Sequence, residues 1–214
     1  MKKIFNITFI LFSIAVFSQK KVAKQIQIHT NQVNIYTTGL DDLKIENSNK
    51  DIVEVILYAE SYDDQLVKIT ENSNEVNINF YFEGTETREV IFRKFITKRL
   101  QRAEAVIKIP KGKKITVFGE NVDIETKNCK NNLAIFIDNG IVKLNTIQQN
   151  TELRLYAGNV YAKVKDSKID VISNIGKIKV NDITYKKEYK LIKNDAKKNL
   201  KIQSIKANIF ITNQ

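Results

Sequence analysis

The sequence predicts an all-β protein: a short β-solenoid, or β-helix-like stack, preceded by an antiparallel, β-sandwich-like N-terminal part. First, apolar and polar residues alternate with a period of two in segments rich in Val, Ile, Tyr and Phe, as in half-buried strands. Second, the C-terminal half repeats a strand–glycine–strand pattern at a nearly fixed spacing, which is typical of stacked β-repeats. Third, no segment combines a helical period with the length of a stable helix.

Seven segments carry this alternation most clearly, and Asn, Asp, Gly and Lys residues that favour turns lie between them. They are Val76–Phe82, Ala105–Ile109, Ile115–Phe118, Leu133–Ile137, Leu153–Tyr156, Ile178–Ile183 and Asn208–Thr212. The segment Arg88–Ala105 is ambiguous, since its apolar residues fit either one helical stripe or two short strands with a turn. Two short strands are the favoured interpretation.

Four of the seven glycines mark the repeat and lie 21, 18 and 18 residues apart: Gly119, Gly140, Gly158 and Gly176. We interpret them as structural turn residues at the bend of each copy, because glycine tolerates positive φ and close backbone stacking. A fifth copy carries Ala207 in the glycine's place, and the lysine-rich insert Thr184–Asn199 accounts for its longer step. A meander of antiparallel hairpins also turns at regular intervals, but the near-constant step favours stacking.

The N-terminal half lacks this spacing. Residues 43–61 and 65–84 are typical of longer antiparallel strands joined by Asn-Ser and Asp-Asp turns. Pro110, the only proline, lies in "IPKGKK" and marks a hinge between the halves. We therefore divide the mature chain into an antiparallel part, residues 19–110, and a repeat part, residues 111–214, which together form one continuous domain.

Residues 1–18 have the layout of a secretory signal peptide. Lys2 and Lys3 precede an apolar stretch, and Val16 and Ser18 occupy the −3 and −1 positions if cleavage falls before Gln19. The alternative is a membrane anchor, which needs about 20 apolar residues. The apolar stretch here is shorter and is interrupted by polar residues. No cysteine follows for a lipid anchor, and no second apolar stretch is long enough to span a bilayer. We therefore expect an exported protein with no transmembrane helix in the mature chain.

The sequence offers few groups for catalysis or metal binding. We expect His29, the only histidine, on the surface at a strand edge. The single cysteine, Cys129, is expected at a half-buried loop or edge position rather than as an intermolecular thiol. Asp123 and Glu125 should point outward beside Lys143 and Asn145 of the next copy, in a solvated ladder of mixed charge. We therefore predict no catalytic residue, no metal site and no cofactor.

The chain is basic, with a formal net charge of +11, and lysines cluster beside tyrosines in residues 183–201. Such a patch can bind an anion, which for an exported bacterial protein means an anionic glycan, lipopolysaccharide, lipid headgroups or an envelope protein. Nucleic acid fits that compartment poorly. The alternative is a lysine-rich edge that only prevents aggregation between strands, and this alternative is the stronger. The candidate contact residues are Tyr185, Lys186, Lys187, Tyr189 and Lys190.

Six segments carry a family resemblance in their order along residues 40–212: "LKIENSNKDIVEVILYAES", "VKITENSNEVNINF", "AVIKIPKGKKITVFGENVDIE", "FIDNGIVKLN", "LYAGNVYAKV" and "SNIGKIKVND". They resemble an adhesin-like domain family of unknown function in exported bacterial proteins, related to the putative auto-transporter adhesin of the head GIN type. The resemblance implies a right-handed β-solenoid-like fold without established catalytic residues. The chain departs from the family at Asn139, Ala157 and Ile175, where Ser or Thr usually precedes the glycine, and in its lysine-rich insert.

The end of the apolar stretch, "FSQ", resembles signal peptides of Gram-negative, Bacteroidetes-type bacteria, which implies a periplasmic, outer-surface or secreted protein. We therefore predict a non-enzymatic cell-envelope or surface protein that acts as an adhesin-like binding module for an unidentified ligand. One alternative is a periplasmic protein that handles lipid or lipopolysaccharide, which requires an open apolar groove. Another is a small polysaccharide-active β-helix enzyme, which requires a cleft with converging carboxylates.

Overall fold

All regular structure in the computed structural model is β, and the structure describes residues 20–59, 67–81 and 103–213. Each segment predicted as a strand contains one, although a turn at Asn181 and Asp182 divides the segment Ile178–Ile183. The strands are β1 (Lys20–Gln27), β2 (Gln32–Tyr36), β3 (Asp42–Asn47), β4 (Ile52–Ala59), β5 (Val67–Glu71), β6 (Glu75–Phe80), β7 (Glu104–Ile109), β8 (Lys114–Asn121), β9 (Asp123–Lys127), β10 (Asn132–Asn145), β11 (Thr151–Val164), β12 (Ser167–Ser173), β13 (Ile178–Val180), β14 (Ile183–Tyr185), β15 (Glu188–Leu191), β16 (Lys198–Ser204) and β17 (Asn208–Asn213).

The strands form one large mixed sheet that bends into two arms. In the first arm the spatial order is β5, β6, β2, β8, β10, β11, β16, β12 and β15. In the second arm it is β1, β4, β7, β3, β9, β10, β11, β17, β13 and β14. Strands β10 and β11 are 14 residues long and pass through both arms. Inward side chains of both arms belong to one buried cluster, so the arms share a core.

The sheet is built from rungs, each consisting of a first-arm strand and the second-arm strand that follows it. In spatial order the described rungs are β6/β7, β2/β3, β8/β9, β10, β11, β16/β17 and β12/β13, and neighbouring rungs pair in parallel. A constant step of 18 residues relates β8/β9 to β10 and β10 to β11, so Ile135 lies opposite both Val117 and Leu153. Apolar side chains therefore form continuous columns in the core.

The rungs do not follow one another in sequence order. The last rung, β16/β17, lies between β11 and β12/β13. The lysine-rich insert makes this order possible, because β14 and β15 fold back antiparallel on the outer side of β13 and β12 before the chain returns. The N-terminal end is arranged in the same way, since β2/β3 lies between β6/β7 and β8/β9, and antiparallel strands β4, β1 and β5 cover the outermost rung.

The expected antiparallel N-terminal part is therefore present only at its outer strands. Antiparallel pairing holds for β1 with β4, β4 with β7, and β5 with β6. Strands β2 and β3, by contrast, pair in parallel on both sides and continue the stack. The reason is that the inward residues of these strands, such as Val33 and Ile45, extend the same apolar columns as the repeat part. Pro110 lies between two strands of this shared core.

The bend between the arms is a column of small residues. Following the strand register, the small residues Gly140, Gly158, Ala207 and Gly176 occupy successive rungs, and the backbone of the larger Val122 lies next to Gly140 at the end of the column. A Cβ atom on Gly158 would lie 2.0 Å from the carbonyl oxygen of Gly140, and one on Gly176 would lie 1.9 Å from that of Ala207. The backbones of neighbouring rungs thus approach too closely here for most side chains.

Gly119 does not belong to this column, contrary to its place in the 21-residue step. It pairs with Ile137, three residues before Gly140, because the 18-residue register continues unchanged through β8 and β9. A glycine is needed at position 119 for a local reason, because a Cβ atom there would lie 2.0 Å from the Thr37 hydroxyl oxygen. Residues 1–18 and the ambiguous segment at residues 88–102 lie outside the described residues.

Candidate functional site

The residues predicted to contact a ligand lie on β14 and β15 and in the bend between them, at one end of the stack. Tyr185 and Tyr189 are half-buried and pack against the core, with ring centroids 4.6 Å apart. Lys186, Lys187 and Lys190 are exposed, and the Lys190 ammonium lies 3.9 Å from an Asp170 carboxylate oxygen. The two rings thus cover the end of the core, which leaves the lysines as the solvent-facing part of the predicted patch.

Replacing Tyr189 by alanine is expected to lower the free energy of unfolding by about 1–2 kcal/mol, because a half-buried ring leaves the core boundary. Replacing the exposed Lys186 by alanine should change it by less than about 0.5 kcal/mol. Urea unfolding followed by far-UV circular dichroism measures both. Equal effects of the two substitutions would show that the tyrosine does not cover the core.

The histidine and the cysteine that the sequence analysis considered lie in surroundings that indicate a structural role. His29 is exposed, and its backbone amide donates to a Glu71 carboxylate oxygen at 2.9 Å. Cys129 lies in the loop between β9 and β10, but it is buried rather than half-buried, and burial raises the pKa of its thiol. Asn131, which is 2% exposed, donates to the carbonyl oxygens of Pro110 and Lys113 at 2.8 and 3.2 Å. Among the described residues, no group of three or more His, Cys, Asp or Glu side chains is arranged to hold a metal ion.

The carboxylates on the outside of the second arm pair only partly as predicted. Glu125 lies opposite Lys143, but the Asn145 side-chain amide still donates to its Oε1 at 3.0 Å. Asp123 is not opposite Lys143 and accepts a 2.7 Å hydrogen bond from the Ile141 amide. The predicted register was two residues off because it was aligned on Gly119. Asp42 lies opposite both Glu104 and Asp123, so acids are neighbours in this column.

Asp42 is exposed, but its carboxyl group is partly dehydrated. This dehydration is the largest cause that raises the pKa of the carboxyl above 3.8, and the negative charges of Asp123 and Glu104 raise it further. The folded state therefore binds this proton more tightly than the unfolded state, and stability falls as pH rises through the pKa of the folded protein. Asp42→Asn is expected to raise the urea midpoint at neutral pH, with the gain disappearing near pH 3. Asp195→Asn, at an exposed loop, is the control. A gain that persists at low pH would contradict this assignment.

An open groove lies on the outside of the first arm, next to the bend, and we call it the outer groove. It has a volume of about 520 Å³ and runs across five adjacent strands, β8, β10, β11, β16 and β12. Its lining consists of Gly119, Phe136–Asp138, Arg154–Tyr156, Ile172, Asn174 and Gln203–Ile205. Rings, aliphatic side chains and planar polar groups are thus interleaved along one surface, as in many ligand sites.

A column of stacked outward side chains leads into the outer groove, and its members Phe136, Arg154 and Gln203 form one side of the groove. Tyr36 stacks on Phe118 with ring centroids 5.3 Å apart, and Phe118 stacks on Phe136 at 5.7 Å. The Arg154 guanidinium continues the column 5.6 Å from the Phe136 ring centroid, and Gln203 lies opposite Arg154 in the next rung. The rings support one another across rungs, so this side of the groove is fixed.

Tyr156 provides the most accessible ring of the outer groove. Tyr156 is 50% exposed, and the Lys206 ammonium lies 5.2 Å from its ring centroid. Two hydrogen bonds hold its backbone: its carbonyl oxygen accepts from the Lys206 amide at 2.8 Å and from the Ser204 hydroxyl at 3.3 Å. Sequence reasoning identified "LRLY" only as a strand. The signal available was that Arg154 and Tyr156 are its outward residues, and that they follow Phe136 and Asp138 of the preceding copy by one 18-residue step.

The described strands form an all-β stack with one continuous buried core and an outer groove. No protein-family model matches the chain, and no curated protein matches it. Its fold is similar to the crystal structure of a "putative cell adhesion protein" from Clostridium sporogenes ATCC 15579, with a TM-score of 0.61 and 15% sequence identity over 91% of this chain and 99% of that one. The chain therefore shares the fold of that protein.

A "putative adhesin" from Bacteroides fragilis NCTC 9343 also matches, at 10% identity over 92% of this chain and 98% of its own length. Its TM-score of 0.33 is too low to support an argument. Within the described ranges, no helix is long and apolar enough to cross a bilayer.

Proposed function

We propose that the chain is an exported, non-enzymatic binding module of the bacterial cell envelope or surface, with an adhesin-like role. The observation that carries the proposal is the outer groove, an accessible surface of rings and polar groups on the outside of the described stack. The shared fold with a protein described as a putative cell adhesion protein supports the same role. The signal-peptide layout of residues 1–18 supports export.

The composition of the outer groove favours binding over glycoside hydrolysis. Hydrolysis of a glycosidic bond commonly uses two carboxyl groups on either side of the bond. Among the described residues that line the groove, Asp138 is the one carboxylate. The acids of the second arm, Asp42, Asp123 and Glu104, lie in one column of a separate outer surface.

The packing of the core favours a surface-binding role over lipid handling. A lipid carrier needs an apolar space that opens to solvent, as the sequence-based alternative stated. In the described ranges, inward side chains such as Ile107, Ile135 and Leu153 are fully buried between the arms. The accessible surface of the outer groove carries polar groups at Asp138, Arg154 and Gln203, whose hydration an acyl chain would remove without replacement.

We further propose that the parallel rungs form a short β-solenoid. The 18-residue register and the common column of small residues at the bend support this architecture. The antiparallel strands at both ends then act as caps that prevent further strand addition. The insertion of β16/β17 between earlier rungs is a departure from the sequential winding of a simple solenoid.

The proposal is tested in the bacterium that carries the gene, with the full chain tagged at its C-terminus. We expect the tagged protein in the envelope or culture fluid, with a mature N-terminus at Gln19. Deleting the gene should reduce attachment of the cells to one another or to their natural surface, and the wild-type chain should restore it. Retention of the protein in the cytoplasm, or attachment unaffected by the deletion, would overturn the proposal.

A further inference from the structure

We propose that the outer groove binds a neutral, linear oligosaccharide that lies along the stack, with Tyr156 as its principal stacking residue. This inference rests on the proposed binding function and specifies the chemical class of the ligand. It differs from the anionic ligand that the lysines of β14 and β15 suggest from the sequence.

The shape of the outer groove fits an extended ligand. The groove crosses five adjacent strands, and neighbouring strands are about 4.8 Å apart, which gives a length of about 19 Å. It runs perpendicular to the strands, and each rung contributes a side chain at the same height, such as Phe136, Arg154 and Gln203 in register. A linear polymer lying along the stack thus meets a similar position at each rung.

The polar groups of the outer groove match hydroxyl groups. The side chains of Asn174 and Gln203 present both donors and acceptors, Arg154 presents donors, and Asp138 presents acceptors. Sugar hydroxyls also donate and accept, so successive sugars of an oligosaccharide can satisfy these groups along the groove. The apolar C–H face of a sugar suits the exposed ring of Tyr156 and the exposed side chain of Ile205.

The charge balance of the outer groove favours a neutral ligand. The Arg154 guanidinium is compensated by Glu152, whose Oε1 accepts from Nε at 2.9 Å and lies 2.7 Å from Nη2. Asp138 adds a negative charge within the groove, and Lys206 adds a positive charge at the Tyr156 ring. These four groups sum to zero, so the groove itself offers a polyanion no net local attraction, and the Asp138 carboxylate repels it.

Binding is tested by isothermal titration calorimetry on the full mature chain. The probes are four neutral hexasaccharides (cellohexaose, chitohexaose, laminarihexaose and mannohexaose), the anionic hexagalacturonate, and phosphatidylglycerol vesicles. At least one neutral hexasaccharide is expected to bind, with an affinity that changes by less than about twofold between low and moderate salt, because screening does not affect an uncharged ligand. Binding of hexagalacturonate or vesicles in preference to every neutral probe would overturn the inference.

Tyr156→Ala is expected to reduce the affinity for the bound hexasaccharide by about tenfold or more, as for a central aromatic contact. The matched control is Tyr161→Ala, which removes a ring of similar exposure, 45% against 50%, from the second arm. Asn174→Ala serves as a second groove variant, because Asn174 is exposed and its truncation should leave the fold intact. Unchanged affinity in Tyr156→Ala and Asn174→Ala, or an equal loss in Tyr161→Ala, would place the ligand elsewhere and contradict the inference.

The two proposals fail in different ways. If the wild-type chain restores cell attachment but binds none of the neutral hexasaccharides, the ligand class is wrong and the binding function stands. If the chain neither restores attachment nor binds any probe, both proposals are wrong.

Discussion

Replacing Gly158 by alanine is expected to lower the free energy of unfolding by about 3 kcal/mol or more, or to prevent folding altogether. The added Cβ atom would lie 2.0 Å from the Gly140 carbonyl oxygen, a backbone atom that cannot move aside without shifting the next rung. The φ angle of Gly158 is also 124°, in a region that residues with a side chain rarely adopt. Urea unfolding of the purified variant, followed by far-UV circular dichroism, measures the loss.

Gly112→Ala is the matched control for Gly158→Ala. Gly112 also has a positive φ, 79°, but no atom lies within 4 Å of the position of an added Cβ. Gly112→Ala should lower the free energy of unfolding by about 1–2 kcal/mol, because it introduces backbone strain but no steric clash. If the two substitutions cost the same, the close approach of the rungs at the bend is not what Gly158 is required for.

Replacing Ile135 by alanine is expected to lower the free energy of unfolding by about 2–5 kcal/mol, because it leaves a cavity among fully buried side chains. Ile135 is 0% exposed and lies in the column between Val117 and Leu153 of the neighbouring rungs. Its chemical control is Ile192→Ala, since Ile192 is 79% exposed in a loop and should cost less than about 0.5 kcal/mol.

A single cooperative transition is expected for Ile135→Ala, since one buried cluster extends through both parts of the chain. Two separated transitions would indicate that the parts before and after Pro110 unfold independently. A loss below about 1 kcal/mol would contradict the placement of Ile135 in a closely packed core.

Much of the fold follows from spacing in the sequence. The period of two identifies the strands, and the 18-residue step places Gly140 opposite Gly158 and Val142 opposite Val160. The substitution of Ala207 in the glycine column was also visible, because the apolar pairs around it follow the same pattern. The alignment of the first copy on Gly119 was wrong, because the tight contact of Gly119 is with the Thr37 side chain rather than with the column at the bend.

The order of the rungs was not predictable from spacing. Parallel rungs with similar apolar residues can make the same backbone hydrogen bonds with any neighbouring rung. The alternation of apolar and polar residues within each rung therefore does not determine the spatial order of the rungs. Only the extra segments between β3 and β6 and between β13 and β16 indicate where the chain leaves the simple winding.

The outer groove depends on this order. The aromatic residue Phe136 and Arg154 are related by the regular step, but Gln203 reaches Arg154 only because β16 is inserted beside β11. Sequence reasoning therefore directed attention to the lysines and tyrosines of β14 and β15, where the rings of Tyr185 and Tyr189 cover the core. Composition reveals a charged segment, whereas a groove built from several rungs becomes visible only when their neighbours are known.

The most direct test of the functional account is backbone amide chemical-shift mapping by NMR, with each neutral hexasaccharide titrated into the isotope-labelled mature chain. The account predicts that the largest changes fall on Phe136, Arg154, Tyr156 and Gln203, in adjacent rungs of the first arm. Changes centred on Tyr185–Lys190 or on the second arm, or no change with any of the hexasaccharides, would contradict it.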